Sequence, residues 1–127
     1  MTAIRGLVTR VGGPERVRAI LERFYARLAA DPMVGFFFAG HDLGAIADGQ
    51  LAFLMKATGL DPGRPFEHPR VAHRALPPIL RGQFDRRLRI LEDTLVDEGV
   101  DGDDIAAWLA LEESMRKVVQ RADRPRG

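Results

Sequence analysis

The chain has 127 residues, 46% of them hydrophobic and 29% charged, with a net charge of +1 and no cysteine. That length suits one domain around one core, and the balance argues against disorder. The near-neutral charge favours neither nucleic acid nor an anionic membrane, and the lack of thiols excludes disulfides, thiolate metal sites and a cysteine nucleophile.

Residues 1–10 form a short N-terminal segment without the apolar run of a signal peptide. No later stretch has the length to span a bilayer, so a cytoplasmic chain is expected, a single domain over 1–127. Pro14, after Gly12-Gly13, opens the first helix, along which Val17, Ile20, Leu21, Phe24, Tyr25 and Leu28 recur at helical spacing. Asp31-Pro32 ends it, because the residue before proline is pushed out of helical geometry. A compact turn with Phe36-Phe37-Phe38 follows. The next helix carries Leu43, Ile46, Ala47, Gln50, Leu51, Phe53, Leu54 and Ala57, and residues 58–64 read as a loop.

Pro69 to Leu76 makes at most a short helix, stopped by Pro77-Pro78. Phe84, Leu88, Leu91 and Leu95 mark a helix ending near Gly99. The last helix carries Ile105, Trp108, Leu109, Glu112, Met115, Val118 and Val119, capped by Asp103 or Asp104. Residues 121–127 are polar and charged and are expected to fray. No β pattern competes. The fold class is all-α.

Three polar residues sit among apolar neighbours on three different helices. Tyr25 lies between Leu21 and Leu28, Gln50 between Ile46 and Leu54, and His73 between Val71-Ala72 and Ala75-Leu76. Polar groups turned into a core need partners, so the three together imply a polar guest in the middle. Taken singly, each has a blander reading: a core histidine, an interfacial tyrosine, an exposed glutamine. Glu112 and Glu113 fit a solvated helix edge.

Other chemistries fit poorly. His41, His68 and His73 have no metal-site spacing, and the sequence holds no H-E-x-x-H, Glu-x-x-His pair or phosphate-binding glycine loop. Ser114 is the only serine, with no histidine near it in sequence. A cofactor that needs one histidine and a large apolar cavity fits best, and haem is that cofactor.

The order of landmarks resembles the truncated haemoglobins, short globins with two helices packed over two. The likeness rests on Val11-Gly12-Gly13, Phe24-Tyr25, Leu28-Ala29-Ala30-Asp31-Pro32 and Phe37-Phe38-Ala39-Gly40. It continues through Gln50-Leu51-Ala52-Phe53-Leu54, Val71-Ala72-His73, and Phe84 leading into Leu88, Leu91 and Leu95, from about Val11 to Val119. The resemblance implies haem b with His73 as the iron ligand and Phe38 on the haem face. It places Tyr25 as the distal hydroxyl that donates to bound ligand, Gln50 as its support, and Ile46 where many globins carry a distal histidine. Leu54, Leu76, Phe84 and Leu91 complete the implied lining. The Tyr25/Gln50 pair points to the first group of the family, while His68-Pro69 looks more like the second.

There are departures. Gly59-Leu60 replaces a second Gly-Gly, Pro77-Pro78 lengthens the link after His73, and Gly49 stands where a basic residue often meets a haem propionate. Arg70 or Arg87 is left for that task. The implied ligands are dioxygen, nitric oxide and carbon monoxide, with storage, delivery or nitric oxide oxidation as roles. Redox turnover would draw on an external reductase. A haem-dependent oxidoreductase acting on a small organic substrate and a globin-like scaffold without haem are the alternatives.

Overall fold

In the computed structural model, residues 4–63 and 79–117 are described. Among the described residues five helices stand in chain order: α1 Leu7–Val11, α2 Pro14–Ala30, α3 Leu43–Ala57, α4 Arg81–Asp97 and α5 Gly102–Ser114. A 3₁₀ turn, Gly35–Phe38, lies between α2 and α3. There is no strand among the described residues. The short α1 is not foreseen in sequence, since five residues are too few to display a period. Residues 69–76, expected as a short helix, lie outside the described residues, as do Val118 and Val119.

The breaks follow from backbone chemistry. Gly12 and Gly13 adopt φ of +130° and +94° between α1 and α2, a region that side chains disfavour, and Pro14 then sits in the first turn of α2. Asp31 ends α2 in extended geometry, as expected before proline. Its Oδ2 accepts from the backbone N–H groups of Met33 and Val34, which turns the chain into the 3₁₀ segment. Gly35 is needed there: a Cβ would stand 2.6 Å from the carbonyl oxygen of Ala29. Asp42 caps α3 by accepting from the Ala45 N–H at 3.2 Å.

The cap of α5 is Asp101, not Asp103 or Asp104 as expected. Asp101 accepts from the Asp103 N–H, whereas Asp104 is turned inward and pairs with Arg10 at 2.7 Å, tying α5 to α1. α5 runs to Ser114 with a turn at Met115, after which Arg116 and Lys117 are helical again.

α2 is the hub. It packs against α1, α3, α4 and the 3₁₀ turn, while α5 packs on α4 and α1. Val17, Ile20, Leu21, Phe24 and Leu28 of α2 meet Ala47 and Leu54 of α3, Ile90, Leu91 and Leu95 of α4, and Trp108 of α5 in one buried cluster. Each large apolar side chain so enclosed contributes about 1.5–3 kcal/mol by leaving water. At the surface, Arg18 bridges to Asp48 on α3, and Arg27 bridges to Asp97 at the end of α4. Such exposed pairs fix orientation more than they stabilise. Among the described residues α3 is held chiefly by α2; its backbone makes at most sparse approach to α4 and α5. No described helix is long and apolar enough to cross a membrane.

Candidate functional site

The junction of α2, α3, α4 and α5 departs from the apolar pattern. Tyr25 reaches it from α2, because position 25 falls between Leu21 and Leu28 on the buried stripe. Only 3% of the residue is exposed. Its ring lies 5.0 Å from that of Phe24 and meets Phe38 edge-on at 5.8 Å. These contacts seat the phenol in an apolar collar.

Two residues that sequence reasoning assigned elsewhere complete the cluster. Arg87, offered above as a propionate partner, points into the junction and is occupied there. Its Nε and Nη2 donate to Oε1 of Glu112 at 3.0 and 2.7 Å, and Nη2 also lies 3.5 Å from the Tyr25 hydroxyl. The guanidinium carbon stands 5.0 Å from the ring centre of Phe24 and 5.7 Å from that of Tyr25, a cation held against two aromatic rings. Glu112, expected at a solvated edge, is only 4% exposed; Glu113 next to it is exposed. The correction has a simple cause: Arg87 neutralises the Glu112 carboxylate, which makes its burial affordable. The signal lay in the sequence, since Arg87 falls three after Phe84 and four before Leu91, on the inward stripe of α4.

Gln50 joins from α3. Its Nε2 donates to Oε2 of Glu112 at 2.8 Å. The glutamine therefore supports Tyr25 indirectly, through the chain Gln50–Glu112–Arg87–Tyr25, with no direct bond between the two. This chain bridges the space between α3 and the α4–α5 pair, where backbone contact is sparse.

The electrostatics keep donors as donors. Burial pushes the Tyr25 phenol above its usual range, against the opposing pull of Arg87. Burial works to lower the Arg87 pKa, but the Glu112 carboxylate and Tyr25 outweigh it and the guanidinium stays charged. The Tyr25 oxygen accepts from Arg87, yet its own proton meets no acceptor among the described residues. The hydroxyl thus keeps its donating capacity.

The remaining predicted lining divides in two. Phe38 and Ile46 are half-buried at the edge of the core, as is Phe53 on α3, and they present apolar surface near Tyr25 and Gln50. Leu54 and Leu91 are wholly enclosed in the main cluster. Phe84 is buried with the Arg116 guanidinium 4.6 Å from its ring centre. Phe36 turns outward and stacks on Phe37 at 4.1 Å. His73, Arg70 and Leu76 lie outside the described residues. Among the described residues, no three His, Asp or Glu side chains converge as a metal site. A half-buried apolar edge beside an unused phenolic proton and a polar anchor is the surface a flat apolar cofactor with one polar ligand position would fit.

Comparison with known proteins places these features in context. Residues 7–121 match the family described as bacterial-like globin. The chain is 35% identical over 122 residues to the group 1 truncated hemoglobin LI410 of Chlamydomonas moewusii, spanning 95% of this chain and 71% of that one. Its fold matches the crystal structure of the 2/2 hemoglobin from Synechococcus sp. PCC 7002, in the cyanomet state with covalently attached heme. That match has a TM-score of 0.77 and 26% identity and covers 91% of this chain and 98% of the other.

Proposed function

The chain belongs to the bacterial-like, truncated globin family, and on that premise we propose that it binds haem b and reversibly takes dioxygen and related diatomic ligands. Within this reading His73 holds the iron from one side, while Tyr25 and the Gln50–Glu112–Arg87 chain face the other. Phe38 and Ile46 line the distal edge, Leu54, Leu76, Phe84 and Leu91 the remaining walls, and Arg70 is left as the propionate partner now that Arg87 is engaged. Haem supplies an open iron position at which dioxygen, nitric oxide or carbon monoxide coordinates.

The reading rests on one observation: the buried Tyr25 hydroxyl, protonated at any ordinary pH, has a proton that nothing among the described residues accepts. A phenol so placed donates to the partly negative outer atom of bound dioxygen, and in a dry pocket that bond is stronger than in water. Carbon monoxide polarises less and gains less. Consumption of nitric oxide in aerated, reductant-supplied solution is the activity to which this retention of dioxygen extends, with electrons from a separate reductase in the cytoplasm.

Absorption spectra of the ferric, ferrous and carbon-monoxide forms test cofactor and open position together. Wild-type protein should load haem, and His73→Ala should lose or greatly weaken that loading; normal loading in His73→Ala refutes the ligand assignment. In Tyr25→Phe the dioxygen off-rate should rise about tenfold, the worth of one well-placed hydrogen bond. An unchanged rate removes Tyr25 from this role.

A further inference from the structure

α3 is anchored unevenly. Toward α2 it buries Ala47 and Leu54, and Arg18 ties the two helices together. The Nε of Arg18 donates to Asp48 at 2.7 Å and its Nη2 to the Gly44 carbonyl at 3.1 Å. Just past its C-terminal end, the Gly6 N–H donates to the Thr58 carbonyl at 3.2 Å. On the opposite flank, backbone approach to α4 and α5 is sparse among the described residues, and Gln50 spans the gap. Its Nε2 reaches Oε2 of Glu112 at 2.8 Å. Glu112 is a fixed post: Arg87 holds its other oxygen with bonds of 3.0 and 2.7 Å, and the rings of Phe24 and Tyr25 hold Arg87. Gln50 is half-buried on the less anchored flank of α3. The post is braced and the hook is single.

From this we propose that the Gln50–Glu112 bond is a latch on α3, which sets how often that helix swings away from the α4–α5 pair and so how fast haem leaves. The inference rests on the haem reading above, which lays Ile46 and Gln50 of α3 along the cofactor. A wall anchored along one side opens by a local transition, well short of unfolding the whole domain. The bond is suited to the task because its acceptor is charged, which makes it stronger than a neutral pair. Breaking it also leaves a carboxylate oxygen of Glu112 short of a partner, and only 5% of that side chain is accessible to water. Glu112 is thus a positioning residue, which acts on α3 through Gln50.

Two measurements on the ferric, haem-loaded protein supply the test: haem transfer to an excess of a haem-scavenging apoprotein, and amide hydrogen exchange resolved by helix. In wild type, α3 amides should exchange through an opening that hardly depends on added denaturant, while α4 amides follow global unfolding. Gln50→Leu removes the hook, and both α3 exchange and haem loss should quicken about tenfold. Arg87→Met combined with Glu112→Leu removes the post from the other side and leaves no lone buried ion. It should quicken both to a similar degree, and adding Gln50→Leu to it should bring little further change, because the two act through one bond. Gln50→Lys keeps a donor for the carboxylate, so its haem loss should lie nearer wild type than that of Gln50→Leu. That variant supplies the measurement if the double variant does not fold.

Haem loss that is unchanged in Gln50→Leu overturns the latch and leaves the haem reading standing. Faster loss with unchanged α3 exchange also overturns it, since the glutamine then holds haem directly. So do additive effects of the two sides, and so does exchange of α3 and α4 through one shared global event. Wild-type protein that takes up no haem overturns both readings, and the Soret band read before any transfer identifies that case.

Discussion

The interior is built in two ways within a few ångströms. Around Ile20, Leu21, Leu95 and Trp108 it is closed and apolar, and every side chain there is 1% exposed or less. At the junction of Tyr25, Gln50, Arg87 and Glu112 the same helices supply a hydrogen-bonded chain instead. The first region stabilises by area and shape. The second is held by directional bonds among its own members, and those polar atoms give it chemistry. Neighbouring arginines on α4 show the same division. Arg86 reaches Asp31 at the end of α2 with bonds of 2.8 and 3.0 Å and acts as a clamp, whereas Arg87 turns inward to the site.

The contrast is sharpest in what truncation should do. Trp108→Ala opens a cavity in the apolar region and should cost about 3–5 kcal/mol of unfolding free energy, measured by denaturant melts. A loss below about 1 kcal/mol would mean that the region tolerates voids and is not the close-packed half of the comparison.

At the junction the outcome depends on what is left unpaired. Glu112→Leu alone strands the Arg87 guanidinium and should cost about 3 kcal/mol, somewhat softened because Arg87 keeps partial access to water. Arg87→Met with Glu112→Gln should recover most of that loss, which is a non-additivity no apolar pair would show. Equal losses in the single and double variants would remove the charge argument.

The smallest effect concerns the Asp31–Arg86 clamp and is visible through pH. Bonding from Arg86, reinforced by the Met33 and Val34 N–H groups, holds the Asp31 carboxyl below the usual carboxylate range despite some desolvation. Its stabilising contribution is therefore fully present above the ordinary carboxylate pKa and is lost as pH falls through the lowered value. Wild-type protein should be more stable than Asp31→Asn at neutral pH, with the gap closing in acid; a gap that stays constant with pH would refute the assignment.

Much of this was legible in the residues. The bounds of α2 follow from Pro14 and Asp31-Pro32, and those of α3 and α4 from apolar spacing; the all-helical fold and the inward Tyr25 come with them. What sequence reading missed was either too short or too distant to see. α1 has no room for a period, and Asp101 caps α5 because the chain direction there, not residue type, selects among three nearby aspartates. Glu112 reads as a surface carboxylate until its partner is known. That partner, Arg87, lies 25 residues away on another helix, and only the packing of α4 on α5 brings them together. His73, on which the proposed iron ligation turns, lies outside the described residues.

One missing methyl group governs the roof above the phenol. Because position 35 carries only hydrogen, the chain leaving α2 can drop onto the Ala29 carbonyl and return at once, with the Gly35 N–H bonded to the Asp31 oxygen at 2.8 Å. That tight return decides how low the Phe38 ring hangs over Tyr25. A bulkier residue at 35 would meet the Ala29 carbonyl and lift the whole overhang, so the seat of the Phe38 ring against Tyr25 depends on a residue that touches neither ring.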